Sequence, residues 1–149
     1  MSKPKEYCEI IYDKTGKITD FVCCGLGEDK TWIDQTAHTI GFVVDNKLIG
    51  GLIYHNIRPH KDLWWTIYTT DKRWCTRRVL KKIFGLAFFY WQVERISVIV
   101  SSHNLKSIKL VERLGFKKEG ILRKYRDDGS DCYFYGMLKE ENKWSKKNE

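Results

Sequence analysis

The segment that follows His103 constrains the fold of this chain more than any other. Asparagine favours the position before a helix, and Asn104 is followed by apolar residues at helical spacing. Gly115 then provides a left-handed helix stop. Two strand-like runs follow, joined by a polar turn. The predicted elements are a helix over Ser102–Leu114 and strands over Lys117–Arg126 and Asp131–Leu138. A helix followed at once by a hairpin is typical of a domain in which helices cover a sheet.

The upstream half shows the two-residue period of strands, interrupted twice by helical spacing. Between Val79 and Trp91 the apolar residues repeat every three to four positions, which indicates a helix with one apolar face. The order of strands, helix, strand, helix and strands predicts a mixed α/β domain. The upstream predictions are strands over Glu6–Tyr12, Thr36–Val44, Leu48–Ile57, Leu63–Thr70 and Arg95–Ser101, and helices over Ile18–Leu26 and Arg77–Trp91.

Size and composition are those of one globular domain, predicted to span residues 1–149 with a short basic tail over about 143–149. No apolar run reaches the length of a membrane span, and no signal peptide is visible, so we expect a cytoplasmic protein without a membrane partner. The five cysteines lack metal-ligand spacing, which predicts free thiols and no metal site. Cys75 lies among arginines, and a cationic setting would lower the pKa of its thiol.

Six cations cluster where the predicted strand Leu63–Thr70 leads into the helix Arg77–Trp91. A strand that enters a helix presents backbone N–H groups whose dipole favours an anion. Nucleic acid, an anionic surface or a phosphorylated cofactor would each fit this charge. No helix-turn-helix or base-stacking motif accompanies it, so a nucleic-acid partner is not favoured. The cluster consists of Lys72, Arg73, Arg77, Arg78, Lys81 and Lys82.

Residue identities in the second half resemble those of the GNAT superfamily of N-acetyltransferases. The matching strings are Asn104-x-x-Ser107, Leu114-Gly115-Phe116-x-x-Glu119-Gly120-x-x-Arg123 and Tyr135-Gly136-Met137-Leu138. They are most similar to the branch that acetylates ribosomal-protein N-termini, and to small acetyltransferases of phage and prophage genomes. The resemblance implies a twisted, mostly antiparallel mixed sheet flanked by helices, with central parallel strands that part at the cofactor site. It also implies acetyl-CoA as the cofactor.

In this superfamily the turn before the helix binds the acetyl-CoA pyrophosphate and carries two small residues, glycine first. Trp74 and Thr76 occupy those places here, within an Arg73-Trp74-Cys75-Thr76-Arg77 run similar to that of phage relatives. The alternative is a solvated helix start with Trp74 packed in the core. The resemblance implies a cofactor site made by Tyr68, Thr69, Arg73, Trp74, Cys75, Thr76, Arg77, Arg78 and Asn104.

The same resemblance implies roles for Asn104 and Ser107 as catalytic residues. The asparagine lies beside the pantetheine arm in relatives, and the serine is the proposed acid that protonates the leaving thiolate. Val111 stands where many relatives have a tyrosine acid. From the residues alone, Asn104 is an ordinary helix cap. No base is assigned, and the candidates are His55, His60, Asp62, Tyr68 and Asp127.

The expected function is direct transfer of an acetyl group from acetyl-CoA to a primary amine. The amine belongs to a protein N-terminus, a lysine or a small molecule, and the basic chain favours an acidic partner. The alternative is a GNAT-fold phage protein that has lost catalysis and acts as a binding or virion-associated module. A monomer and a homodimer are both compatible with the sequence.

Overall fold

A single sheet runs through the residues that the structure, a computed structural model, describes, which are 7–13 and 15–146. The strands are β1 Glu9–Tyr12, β2 His38–Val44, β3 Lys47–Arg58, β4 Asp62–Thr69, β5 Arg95–Ser101, β6 Lys117–Leu122 and β7 Cys132–Leu138. The helices are α1 Lys17–Leu26, α2 Arg77–Gly85 and α3 Leu105–Leu114. Glu6 of the first predicted strand and residues 147–149 of the predicted tail lie outside the described residues.

The sheet has the order β1-β2-β3-β4-β5-β7-β6, and every neighbouring pair is antiparallel except β4 and β5. The parallel pairing runs from Asp62 and Arg95 to Trp65 and Val98. Both strands continue for several residues beyond that last pair, so the sheet opens between them. This arrangement confirms the predicted mixed sheet with parting central strands.

Helix α1 covers one face of the sheet, and its close packing depends on two glycines. Gly41 of β2 and Gly51 of β3 are direct cross-strand partners. A Cβ on Gly51 would lie 2.7 Å from Val22 Cγ2, and one on Gly41 would lie 2.8 Å from Ile18 Cδ1. Both contacts are shorter than any side chain tolerates, so the glycines allow the helix to lie directly on the strands.

Helices α2 and α3 cover the opposite face, where the main core lies. Ile83 and Phe84 are fully buried, Val111 is buried and Ile108 is partly buried, as the helical periods predicted. The buried Tyr54 hydroxyl donates to the Ile83 backbone oxygen at 2.8 Å, which ties α2 to β3. Four lysines on the outer sides of α2 and α3 are exposed, namely Lys81, Lys82, Lys106 and Lys109.

The predicted helix Arg77–Trp91 is interrupted in the structure. Helix α2 ends at Gly85, and a π-helical turn spans Leu86–Tyr90, with the Trp91 N–H donating to the Leu86 oxygen at 3.0 Å. The wider turn lets the neighbouring Ala87 and Phe88 both reach the core, where neither is exposed. The spacing of apolar residues does not distinguish a π-helical turn from a regular helical turn, because the π-helical turn arises from packing in the folded protein.

The predicted strand Lys117–Arg126 is also shorter, because β6 ends at Leu122. Lys124 adopts a left-handed φ of 55°, and its N–H donates to Asp131 Oδ1 at 2.9 Å. This turn carries the chain out of the sheet before β7. The register of β6 against β7 shifts between Lys118 and Gly120.

Candidate active site

The opening between β4 and β5 is flanked by the starts of the two helices that carry several of the predicted site residues. Beyond Trp65 and Val98 the two strands are no longer paired with each other. Helix α2 follows the end of β4, and helix α3 follows the end of β5. Lys106 Nζ lies 3.4 Å from the Thr69 backbone oxygen, so the start of α3 lies beside the end of β4. Both helix starts therefore lie at the same edge of the opening.

The turn between β4 and α2 is held by an aspartate and a tryptophan. Asp71 accepts hydrogen bonds from the Arg73 N–H at 2.9 Å and from Arg73 Nη2 at 2.7 Å. These bonds lower the pKa of Asp71 to about 2. Trp74 is buried and stacks on Phe42 of β2 with ring centroids 5.1 Å apart. Its side chain lies in the core, so Trp74 presents only its backbone to the turn.

The start of α2 combines a helix dipole with exposed positive charge. The Thr76 hydroxyl caps the helix by accepting from the Val79 N–H at 3.2 Å. Arg77 and Arg78 are exposed at this end, and the Arg78 guanidinium lies 4.6 Å from the centroid of the Tyr7 ring. The first N–H groups of a helix have no intrahelical acceptor, so this end is suited to bind an anionic group.

Cys75 differs from the expectation of an activated thiol. It is half-buried, and burial raises the pKa of the Cys75 thiol, while the charge of Arg113 offsets only part of that effect. The arginines that flank Cys75 in sequence do not dominate its surroundings. A raised pKa disfavours the thiolate, so Cys75 has the character of a packing residue.

The start of α3 is capped by Asn104, whose Oδ1 accepts from the Ser107 N–H at 3.1 Å. Ser107 shares a helix stripe with Val111 and Leu114, which are buried against the sheet. Ser107 is therefore on the sheet-facing side of the first helical turn, beside the opening. The structure brings Asn104 and Ser107 together and gives Asn104 the capping role that its residue type suggests.

The two predicted site residues of β4 lie on opposite faces of the sheet. Tyr68 lies on the α1 face, where a Cβ on Gly25 would meet its ring at 2.2 Å and the Phe21 ring is 5.6 Å away. Thr69 lies on the α2 face, close to Gly50. Only Thr69 therefore shares a face with the start of α2.

The five candidate bases do not lie together. His60 and Asp62 lie at the far end of β4 from the opening, and Asp62 is held by Arg58. Asp127 is exposed in the connection between β6 and β7. The other two candidates, His55 and Tyr68, lie on the α1 face near the opening. Tyr68 belongs to the last four residues of β4, and His55 lies beside them on β3. Burial lowers the pKa of His55 to about 4, so its imidazole is neutral near pH 7.

Two residues near the opening escaped the sequence analysis. Thr66 is the first residue of β4 beyond the parallel pairing, and its hydroxyl lies 2.9 Å from His55 Nε2. The period of two shared with Tyr68 places Thr66 on the α1 face. Lys106 is the second. A lysine in an exposed first helical turn is ordinary, and only the β4–α3 packing gives it a place at the site.

Glu119 forms an ion pair with an arginine of another strand. Its carboxylate binds Arg95 of β5 at 2.7 Å. A Cβ on Gly136 would lie 2.3 Å from Arg95 Nη2, so the glycine makes room for this ion pair. The ion pair joins β5 to β6 across β7, and its arginine is the first residue of β5.

The described residues form neither a cluster of metal ligands nor a membrane-spanning helix. Within residues 7–13 and 15–146, no group of three or more His, Cys, Asp or Glu side chains is arranged to hold a metal ion. No helix of that part of the chain is long and apolar enough to cross a membrane.

Comparison with known proteins identifies similar sequences and folds. Residues 26–134 match the family model described as an acetyltransferase (GNAT) domain. A 65-residue stretch is 35% identical to the uncharacterized N-acetyltransferase p20 of Bacillus licheniformis, and covers 42% of this chain and 36% of p20. The chain thus aligns with about a third of the length of that curated relative.

Solved acetyltransferase structures share the fold. A chimera of the spermidine N-acetyltransferase SpeG from Vibrio cholerae and hSSAT superimposes with a TM-score of 0.71 at 16% identity, over 89% of this chain and 96% of the other. Mycobacterium smegmatis RimJ in complex with CoA-disulfide gives a TM-score of 0.60 at 22% identity, over 70% of this chain and 54% of the other. Identities this low establish similarity of fold alone.

Proposed function

This chain belongs to the acetyltransferase (GNAT) family, and from that premise we propose that it transfers an acetyl group from acetyl-CoA directly to a primary amine. The observation that carries the proposal is the parting of β4 and β5 after Trp65 and Val98, with the starts of α2 and α3 at the same edge. The gap gives a thioester arm access to unpaired backbone of β4. The two helix starts supply donors on either side of it.

The start of α2 fits the pyrophosphate of acetyl-CoA. Its N–H groups and the exposed side chains of Arg77 and Arg78 offer charge-assisted hydrogen bonds to phosphate oxygens. Arg73 contributes less in this proposal, because its guanidinium is already bound by Asp71. Trp74 and Thr76 fill the family's two small-residue places, so the phosphates would be held without the close approach that glycine permits.

The transfer requires a neutral amine, donors for the acetyl oxygen and a proton for the departing thiolate. A bond forms between the amine nitrogen and the acetyl carbon while the carbon–sulfur bond breaks. Backbone N–H groups of β4 beyond Trp65 that face β5 are in position to donate to the acetyl oxygen. The Ser107 hydroxyl would protonate the thiolate and recover its proton from water, while the proton lost by the amine passes to solvent or an unassigned base.

The acceptor is a molecule with a primary amine, either a protein N-terminus, a lysine or a small amine. The net charge of +8 favours an acidic protein or an acidic small molecule. Charge complementarity of this kind raises the rate of association more than it raises the final affinity. The acceptor's own chemistry therefore needs to be identified by assay.

A non-enzymatic binding module is the second candidate function. The observation that favours it is the replacement of both small-residue places by Trp74, a bulky core residue, and Thr76. In such a protein the basic edge would bind a partner without transferring an acetyl group. The two candidates differ in whether acetyl-CoA binds and in whether a product forms.

Isothermal titration with acetyl-CoA, combined with mass spectrometry of a panel of amines and peptides, tests the proposal. We expect micromolar binding of acetyl-CoA and a gain of one acetyl group on at least one acceptor. Absence of binding would leave the binding module as the function. Oligonucleotide binding that weakens with salt, in the absence of acetyl-CoA binding, would instead indicate a nucleic-acid partner.

A further inference from the structure

A buried polar cluster lies on the α1 face of the sheet beside the opening. His55 of β3 is buried, with 8% of its surface exposed, and its Nε2 lies 2.9 Å from Thr66 Oγ1. The Trp32 ring meets the His55 ring edge to face with centroids 4.8 Å apart. Among the described residues, neither Trp32 Nε1 nor His55 Nδ1 has a hydrogen-bond partner, although both atoms are buried. The Trp32 and His55 side chains therefore each contain one buried polar atom that still needs a hydrogen-bond partner.

The donor and acceptor inventory of these groups restricts how they are satisfied. The indole N–H only donates, so one water shared by the two rings would accept from Trp32 and donate to His55 Nδ1. In that arrangement Nδ1 carries a lone pair and the proton of the neutral imidazole is on Nε2. Leaving both atoms unsatisfied would be unfavourable, because each would lose the hydrogen bond that water gives it in the unfolded chain.

The tautomer in turn orients the threonine. With the proton on Nε2, His55 donates to Thr66 Oγ1, and the Thr66 hydroxyl hydrogen must point toward another acceptor. Thr66 immediately follows Trp65, the last β4 residue paired with β5. With that tautomer, its hydroxyl hydrogen is free to donate near the point where the strands part, on the face opposite α2 and α3.

Resting on the proposed acetyl transfer, we propose that Thr66 is a side-chain donor to the acetyl oxygen, and that His55 and Trp32 are its positioning residues. Negative charge develops on that oxygen as the amine adds, and a fixed donor stabilises it more in the transition state than in the bound substrate. The side chain adds to the backbone donors of β4. It also places the donor on the α1 face of the sheet.

The neighbouring charges agree with a neutral histidine. Asp34 is the charged group that acts on His55, and its Oδ1 is occupied by the Asn56 N–H at 3.0 Å. Burial lowers the pKa of His55 more than the Asp34 charge raises it. The imidazole therefore stays neutral near pH 7, so one of its two ring nitrogens keeps a lone pair that can accept a hydrogen bond.

Matched substitutions distinguish the effect of the Thr66 hydroxyl from the effect of its packing. Thr66→Val keeps the shape and removes the donor, whereas Thr66→Ser keeps the donor. His55→Gln keeps a nitrogen donor for Thr66, whereas His55→Leu removes it, and Trp32→Phe removes the indole N–H while keeping an aromatic ring. We expect Thr66→Val to lower kcat by about 10²-fold, with the affinity for acetyl-CoA kept within about twofold. Thr66→Ser and His55→Gln should retain most of the turnover.

Two results would overturn this inference while leaving the proposed function intact. One is full turnover by Thr66→Val in a wild-type background that acetylates amines. The other uses no variant: long-range proton–nitrogen NMR of the imidazole should show the Nε2–H tautomer of His55, and a proton on Nδ1 contradicts the chain of donors. A wild-type protein that neither binds acetyl-CoA nor acetylates any amine would instead reject the proposed function, and this inference with it.

Discussion

Trp74 stacks on Phe42 with ring centroids 5.1 Å apart and ring planes 22° from parallel. The contact joins the turn before α2 to β2, and it stands at a place where relatives of the family carry a glycine. A glycine turn gains its shape from backbone freedom, whereas this turn is fixed by a buried side chain and by the Asp71 cap. The turn is thereby rigid before any ligand arrives, which lowers the entropy cost of binding.

Trp74→Ala should therefore destabilise the whole domain. Removing a buried aromatic side chain costs about 3–5 kcal/mol of the free energy of unfolding, because a cavity remains. Chemical denaturation followed by circular dichroism measures the change. Tyr90→Ala is the matched control, since Tyr90 is 70% exposed and its loss should change stability by no more than about 0.5 kcal/mol. Equal effects of the two substitutions would contradict the anchoring role of Trp74.

The exposed arginines at the start of α2 should dominate phosphate binding. Arg77→Ala combined with Arg78→Ala should weaken acetyl-CoA binding by about 1–3 kcal/mol, because charge-assisted hydrogen bonds are lost. The control removes the same net charge elsewhere, through Arg123→Ala and Lys124→Ala on the far connection between β6 and β7. Calorimetry on both double variants gives the comparison. Loss of affinity in the control of the same size would show a long-range charge effect and no local site.

Arg73 should contribute less to that affinity than the other two. Its guanidinium lies 2.7 Å from Asp71 and 3.8 Å from Asp45, so part of its charge is already compensated. We expect Arg73→Ala to change the dissociation constant less than either single substitution at Arg77 or Arg78 does. A larger loss for Arg73→Ala than for either neighbour would mean that the arginine leaves Asp71 to bind phosphate.

Ser107→Ala should lower kcat by about 10- to 10³-fold while acetyl-CoA affinity is nearly kept, as expected for loss of a general acid. Ser102→Ala, in the same strand-to-helix connection, serves as the control. Asn104→Ala is less informative, since it also removes a helix cap worth about 1 kcal/mol. Steady-state kinetics on the three variants decides between the roles. Unchanged turnover in Ser107→Ala would mean that water protonates the thiolate.

Helices and strands could be predicted from the sequence where residues close together in the chain determine them. The stop at Gly115 and the buried stripe of α3 both follow from residues within one helix. The π-helical turn after Gly85 was missed, because a wide turn keeps the same apolar residues and differs only in packing. From the sequence, Trp74 could be assigned either to the core or to the cofactor site. Its sequence neighbours are cations, whereas its spatial neighbour, Phe42, lies 32 positions away.

The polar cluster on the α1 face was not predicted from the sequence. His55 was recognised as a candidate base, but neither Thr66 nor Trp32 was connected with it. The link depends on the β3–β4 register, which pairs His55 with Trp64 and brings Thr66 within hydrogen-bond distance. It also depends on the loop after α1, whose path no short motif specifies. Such contacts require the register of the sheet, which periodicity alone does not give.

Acidification should reveal the buried state of His55. Its pKa is lowered by burial from 6.5 to about 4 in the folded protein. Below about pH 6.5 the unfolded chain therefore binds a proton that the folded chain excludes, and stability falls as the pH drops. The loss begins near the unfolded pKa and is complete once the pH is below the folded one. The difference between the two values corresponds to about 3 kcal/mol.

Urea denaturation of wild type and His55→Gln, at pH values from about 7 down to about 4.5, measures this effect. The free energy of unfolding of the wild type should fall across that range more steeply than that of the variant. Restricting the range to values above the folded pKa of His55 limits the contribution of carboxylates, whose protonation destabilises proteins mainly at lower pH. Parallel curves for wild type and His55→Gln would mean that His55 binds its proton equally in both states, which would contradict its burial.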